Sequence, residues 1–170
     1  RQSRGGRGLT GVTTKEDDFI EHMFVASTHN YLMLFSDRGR CYWLKVHEIP
    51  EGGRMARGKS IANLIAKEGD ESIASYVAVK NFEEPLFVVM VTEQGIIKKT
   101  ALGEFSNPRR SGIVAIGLDK GDHVIDVRIT DGKQDIVIGT HEGIAIRFHE
   151  QEARPMGPAD GGVRANKRQE

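Results

Sequence analysis

The feature that most constrains this chain is a turn that occurs three times. Ser36-Asp37-Arg38-Gly39 returns as Thr92-Glu93-Gln94-Gly95 and as Thr140-His141-Glu142-Gly143. Each copy lies between two runs rich in β-branched and aromatic residues: 31–35 with 41–46, 86–91 with 96–100, and 136–138 with 144–148. A glycine closing a polar turn supplies the positive φ that a tight reversal needs, so each unit is expected to be a β-hairpin. An acidic turn keeps the same rhythm, with Asp17 before Phe19-Ile20, Asp70 before Ile73 and Asp122 before Val124-Ile125. Self-similarity with a period of about fifty residues points to an array of like units.

Basic residues and glycine follow each hairpin: Arg54, Arg57 and Gly58, then Arg109, Arg110 and Gly112, then Arg154 and Gly162. Short apolar strands are expected to close the first two copies at 61–65 and 113–118. The third copy loses its apolar end at 163–168 and reads as incomplete. Ile61, Leu64 and Ile65 also fit a helical spacing within 60–68, but comparison between the copies favours a strand there. About four strands per copy predict an all-β, propeller-like array of four-stranded blades, about three in number. The single domain divides into an opening segment at 1–14 and repeats at about 15–66, 67–118 and 119–170. The expected core is Phe19, Phe24, Leu32, Leu34, Tyr76, Val88, Met90, Ile125, Val127, Val137 and Ile146.

Composition narrows the function classes. With 38% apolar and 28% charged residues, the chain is of the ordinary globular kind, and no apolar run approaches the roughly 18 residues of a membrane helix. One cysteine, Cys41, cannot form an internal disulfide, and no apolar segment follows the basic N-terminus as in a secretory signal. A cytoplasmic address without membrane contact is expected. The 24 basic and 24 acidic residues cancel, so any anionic partner must meet a locally basic face.

Residues 53–60, Gly-Arg-Met-Ala-Arg-Gly-Lys-Ser, match the phosphate-loop pattern G-x4-G-K-S. That chemistry needs a strand before the loop and a helix after it, whose N-terminal amides face the phosphates. Neither flank suits it: Pro50 and charged residues precede the loop, and a strand slot follows it. A nucleotide-hydrolysing enzyme is thus a weak rival, and the loop suits contact with a DNA phosphate better. The six histidines show no metal-ligand spacing, no nucleophile elbow is present, and Glu16-Asp17-Asp18 reads as a solvated turn. No catalytic residue and no metal site are expected.

Gln2-Ser3-Arg4-Gly5-Gly6-Arg7-Gly8 resembles the Q-R-R-G-G-R/K-G box of the C-terminal domain of the DNA gyrase A subunit, Ser3 being the one departure. Blade signatures of that family are resembled by Ala26 to Tyr31, Arg38-Gly39-Arg40, Glu48-Ile49-Pro50, Ala56-Arg57-Gly58, Gly112 to Ala115, Arg147-Phe148 and Arg154 to Gly157. The resemblance extends from residue 1 to about 165. It implies a β-pinwheel that binds duplex DNA on a basic rim and wraps it, in support of ATP-dependent negative supercoiling by a type IIA topoisomerase. On that reading the chain is not itself catalytic and holds no cofactor, while ATP and Mg serve other parts of the gyrase complex. The implied partners are duplex DNA, the remainder of gyrase A and gyrase B, in a bacterial cytoplasm and near the nucleoid. Members of the family carry about six blades, so three leave exposed blade edges through which self-association is open.

The DNA contacts expected from the box and the repeats are Gln2, Arg4, Gly5, Gly6, Arg7, Gly8, Arg38, Arg40, Lys45, Arg54, Arg57, Lys59, Lys98, Lys99, Arg109, Arg110 and Arg147. Glycines let the backbone approach a phosphate rail, and the cations supply charge. Trp43 stands where Lys99 and Arg147 stand in the other copies and is expected to fill a gap between blades, with contact to a DNA sugar as the alternative. A propeller-type protein-interaction module is the rival from another class, and the Arg-rich terminus and the Arg109-Arg110 pair argue against it.

Overall fold

The structure is a computed structural model that describes Gly6 and residues 18–53, 57–58, 60–158 and 161–164. Ten strands form among these residues: β1 (Tyr31–Ser36), β2 (Arg40–Lys45), β3 (Ile73–Val79), β4 (Phe87–Thr92), β5 (Ile96–Ala101), β6 (Ile113–Val114), β7 (Val124–Thr130), β8 (Asp135–Gly139), β9 (Ala145–His149) and β10 (Val163–Arg164). The three expected hairpins are β1–β2, β4–β5 and β8–β9, all antiparallel and in equivalent register.

Their turns are built alike. Gly39, Gly95 and Gly143 have φ of 82°, 81° and 81°. Each donates its N–H to the carbonyl of Ser36, Thr92 or Thr140 at 3.0 Å. The hydroxyl of that Ser or Thr accepts the N–H four residues on, at 3.1 Å from Arg40, 3.0 Å from Ile96 and 3.1 Å from Ile144. One side chain and one glycine thereby satisfy backbone groups that the reversal would otherwise leave open.

The sheets do not follow the sequence copies. One sheet has the order β3-β1-β2-β6, the second β10-β5-β4-β7, and β8-β9 forms a third of two strands. Each four-stranded sheet is therefore a hairpin flanked by two strands from the following copy. A register shift at the turn end recurs in both, between Phe35 and Ser36 and between Val91 and Thr92. The expected closing strand at 113–118 is reduced to Ile113–Val114, after which the N–H groups of Ala115 and Ile116 both bond the Gly39 carbonyl. No strand forms at 61–65. A short 3-10 turn, Ile61–Asn63, replaces it, and its apolar residues lie on the outer face of the first sheet.

The blades stack face to face. Strand alternation sends Met33, Phe35 and Cys41 to one side of the first sheet, where they meet Val88, Met90, Leu102 and Phe105 of the second unit. Leu32, Leu34, Tyr42 and Leu44 occupy the opposite face with Ile65. Val89, Ile97 and Ala153 pack with Ile136, Ile138 and Phe148 of the third hairpin. Of the expected core, Leu32, Leu34, Val88, Met90 and Val127 are buried, and Tyr76 and Ile146 are half-buried. Phe19, Phe24, Ile125 and Val137 are exposed instead, because each lies where no neighbouring sheet covers it among the described residues.

Gly39 is constrained twice. Besides its positive φ, a Cβ there would lie 2.6 Å from the Ile116 carbonyl oxygen, whereas one at Gly143 would meet nothing within 4 Å. Gly143→Ala is expected to cost about 1–2 kcal/mol through backbone strain alone. Gly39→Ala should cost at least about 1 kcal/mol more, as read by urea unfolding of the two variants.

Candidate nucleic-acid interface

Pairing of β2 with β6 places Arg40 opposite Val114 and Cys41 opposite Ile113. It thereby lays the basic loop before β6 against the first hairpin. Gly112 makes the approach feasible: at φ 73° it passes over the Cys41 carbonyl and the Tyr42 ring, each 2.8 Å from where a Cβ would be. Its N–H closes a tight turn onto the Arg109 carbonyl at 2.9 Å. Arg40 Nη2 donates to the Ser111 carbonyl at 2.8 Å, across 71 positions of sequence. The loop that carries Arg109 and Arg110 is thereby docked along β2, with Ser111 bonded to Arg40, while Arg38 stands in the turn that opens the strand. Arg109 and Arg110 are exposed and make no side-chain hydrogen bond or ion pair among the described residues.

A buried carboxylate supports this group. Glu71 accepts from the Tyr42 hydroxyl at 2.6 Å and from the Glu68 N–H at 3.0 Å. Burial pushes its carboxyl up, but hydrogen bonds from Ser36, Tyr42 and the Glu68 backbone, together with the Arg40 charge, outweigh burial and hold it below its ordinary value. The Tyr42 phenol is pushed up, by burial first and then by Glu71. Arg40 also stands 3.7 Å from Glu68, and Arg38 pairs with Asp70. Ion pairs this exposed are weak, so a phosphate can take the place of either carboxylate.

Other expected contacts are dispersed. Lys45 is at the far end of β2, its ammonium 5.9 Å from the Tyr31 ring centre. Arg57 is exposed. Arg147 is exposed and 3.8 Å from Asp135. Gly6 is exposed, and Gln2, Arg4, Gly5, Arg7, Gly8, Arg54 and Lys59 lie outside the described residues. The segment that follows the 53–60 string makes only the 3-10 turn Ile61–Asn63, so no helix terminus faces that loop among the described residues.

Lys98 and Lys99 require correction. They are 1% and 4% exposed, and neither stands on a rim. Lys98 Nζ donates to the Ala115 carbonyl at 2.9 Å. Lys99 Nζ reaches the Glu150 carbonyl at 3.2 Å and its Oε1 at 3.4 Å, and lies 4.6 Å from the Phe87 ring centre. Glu150 is fully buried and also accepts from Thr130 Oγ1 at 2.9 Å and the Gln134 N–H at 2.8 Å. These mid-strand positions face neighbouring blades, not solvent: Lys98 the first sheet and Lys99 the third hairpin. Trp43, equivalent to Lys99, accordingly sits between blades and donates Nε1–H to the Phe105 carbonyl at 3.1 Å. Sequence reasoning left out Arg154, which is exposed at the loop docked on the second sheet by the Met156 N–H to Lys99 carbonyl bond of 2.8 Å. Its place among the basic residues downstream of the third hairpin was the available signal.

A profile described as DNA gyrase C-terminal domain, beta-propeller, matches residues 1–27, 30–75, 87–131 and 134–167. The chain belongs to that family. The last three matched segments of the gyrase domain cover a hairpin each, at the spacing of the repeats. The DNA gyrase A protein of Clostridium acetobutylicum is 49% identical over 156 residues, covering 92% of this chain and 19% of the relative. That of Salmonella typhimurium is 44% identical over 166 residues, covering 98% and 19%. The chain thus spans about a fifth of the length of these curated relatives. The crystal structure of the C-terminal domain of DNA topoisomerase IV is similar with a TM-score of 0.73 and 34% identity, over 81% of this chain and 43% of that one. A DNA gyrase A C-terminal domain structure shares the fold with a TM-score of 0.74 at 23% identity, over 94% and 51%.

Two outcomes follow from the buried carboxylates. Because the folded Glu71 carboxyl titrates below its ordinary value of 4.5, its contribution is complete above that value and fades as the pH falls through the lower one. Glu71→Gln should therefore be less stable than the wild type near pH 7, with the gap narrowing in acid, as measured by urea unfolding at several pH values. Lys99→Ala strands the buried Glu150 and should cost about 3–5 kcal/mol in the same assay, against about 0.5 kcal/mol or less for Arg147→Ala.

Proposed function

We propose that this chain is a non-catalytic duplex DNA-binding and DNA-wrapping element of gyrase A, supporting ATP-dependent negative supercoiling by the complete enzyme. The observation that carries the reading is the joining of the Arg109-Arg110 loop to the Arg38 and Arg40 hairpin through the β2–β6 pair and the 2.8 Å bond from Arg40 to Ser111. In a chain with no net charge, this docking joins an exposed Arg109-Arg110 pair to the hairpin that carries Arg38 and Arg40, a locally basic surface of the kind that backbone recognition of DNA needs. The box residues Gln2, Arg4, Gly5, Gly6, Arg7 and Gly8, with Arg54, Arg57 and Lys59, extend the phosphate-binding surface in this reading. Lys45, Arg147 and Arg154 lie farther along the DNA path.

Wrapping by such a surface reads the phosphate backbone and DNA deformability, not base edges. Sequence preference is weak and salt dependence steep. Catalytic groups, ATP and Mg belong to other parts of gyrase A and gyrase B, in a bacterial cytoplasm. Family membership supports this assignment, and the interaction-module alternative has no comparable use for the arginine group.

Affinity for a duplex across a salt series tests the proposal. Arg109→Ala with Arg110→Ala should weaken binding about equally for unrelated sequences. It should also flatten the log–log salt slope by up to about two units, at about 0.9 for each phosphate no longer neutralised. An unchanged slope removes these arginines from the interface, and no duplex binding at low salt overturns the reading.

A further inference from the structure

The loop that carries Arg109 and Arg110 is held by little. β6 pairs with β2 over two residues, and the Gly112 N–H turns back onto Arg109. Among the described residues, the one side-chain hydrogen bond that ties 107–111 to another segment runs from Arg40 Nη2 to the Ser111 carbonyl.

Arg40 is poorly placed to serve a phosphate of its own. Its side chain is 23% exposed, against 56% for Arg38, and its Nε is buried without a hydrogen-bond partner among the described residues. Clasping a phosphate with two parallel N–H groups needs an open edge of the guanidinium. Here Nη2 is committed to Ser111 and Nε is turned inward, which leaves only part of the fork for DNA.

The second blade shows that the strand pairing itself needs no such arginine. β10 meets β5 as β6 meets β2, with Arg164 opposite Ile96 and Val163 opposite Ile97. Counted back from that register, Ile96 stands for Arg40, Gly161 for Ser111, and Ala159-Asp160 for Arg109-Arg110. A strand thus docks there without a guanidinium, and the segment ahead of it has no cationic pair to orient. The arginine on β2 and the two on the loop occur together in one blade and are absent together from the other.

We propose that Arg40 is a positioning residue: it holds the Arg109-Arg110 loop against β2, and its effect on duplex binding passes chiefly through that pair. The inference rests on the DNA-binding reading above. Tyr42, two residues on and so on the same side of the strand, completes the seat, its ring packed against Gly112 and its hydroxyl fixed by Glu71. A loop ordered before DNA arrives loses less freedom on binding, so arginines held in place bind more tightly than the same arginines on a loose loop.

Amide hydrogen exchange tests the positioning without DNA, and duplex affinity across a salt series tests the route. Arg40→Ala should speed exchange of the Gly112 N–H by about tenfold, as for loss of a hydrogen bond from a charged donor. Arg40→Lys keeps the charge without the planar fork and should act in the same direction, with circular dichroism checking the fold of both variants. Either variant should weaken duplex binding, and the loss in log units should fall below half once Arg109→Ala and Arg110→Ala are already present. Unchanged exchange at Gly112 would overturn the proposal. So would a loss that stays at half or more in that background, with the salt slope lowered by a further unit of about 0.9 as for a direct phosphate contact. If Arg109→Ala with Arg110→Ala alone leaves affinity and slope unchanged, the DNA reading of the loop fails, and the proposal fails with it even where exchange at Gly112 is faster.

Discussion

Everything beyond the hairpins depends on the handing of strands from each copy to the one before it. A two-stranded hairpin cannot bury both of its faces, nor satisfy the backbone groups along its outer edges. β3 and β6 do this for the first hairpin, and β7 and β10 for the second. The exchange also makes neighbouring blades inseparable, because a chain that leaves one sheet must cross to the next and return. Gly39 is the pivot. Its carbonyl accepts from Ala115 and Ile116, while the carbonyl of nearby Asp37 accepts from Val124 at 2.8 Å, so the first turn binds segments from both later copies.

The same exchange creates the candidate DNA surface. Arg109 and Arg110 lie about seventy positions after Arg38 and Arg40, yet β6 must dock beside β2 to complete the first sheet, and it brings its basic loop along. Glycine at 112 is the steric condition for that docking. Charge is concentrated by topology, and net charge gives no hint of it.

Between blades, one position has three solutions. Trp43 fills it with a ring and a hydrogen bond to Phe105, Lys99 with an ammonium held by Glu150, and Arg147 faces outward beside Asp135. A buried lysine is tolerable only where a carboxylate and carbonyls receive it, and the 3-10 turn after β9 delivers Glu150 to that point. Equivalent sequence positions thus differ in chemistry because what packs against them differs.

Local chemistry was legible in the sequence where it is settled within a few residues. The three hairpins, the glycines at 39, 95 and 143, the acidic turns before β3 and β7, and the repeat itself all depend on φ preferences and alternation that neighbouring residues decide. Pairing partners were not legible. A strand at 113–114 looks the same whether it closes its own hairpin or the preceding one, and Lys98 and Lys99 look like rim cations until a second sheet covers them. Residues 61–65 read as a strand by analogy, but became a 3-10 turn because β6 takes the edge of β2 where such a strand would pair. Sequence by itself determined the units and their order, since turn chemistry acts at short range. Tertiary structure alone decided which strands share a sheet, which cations are buried and which hairpin the Arg109-Arg110 loop docks on, because those depend on contacts between residues far apart in the chain.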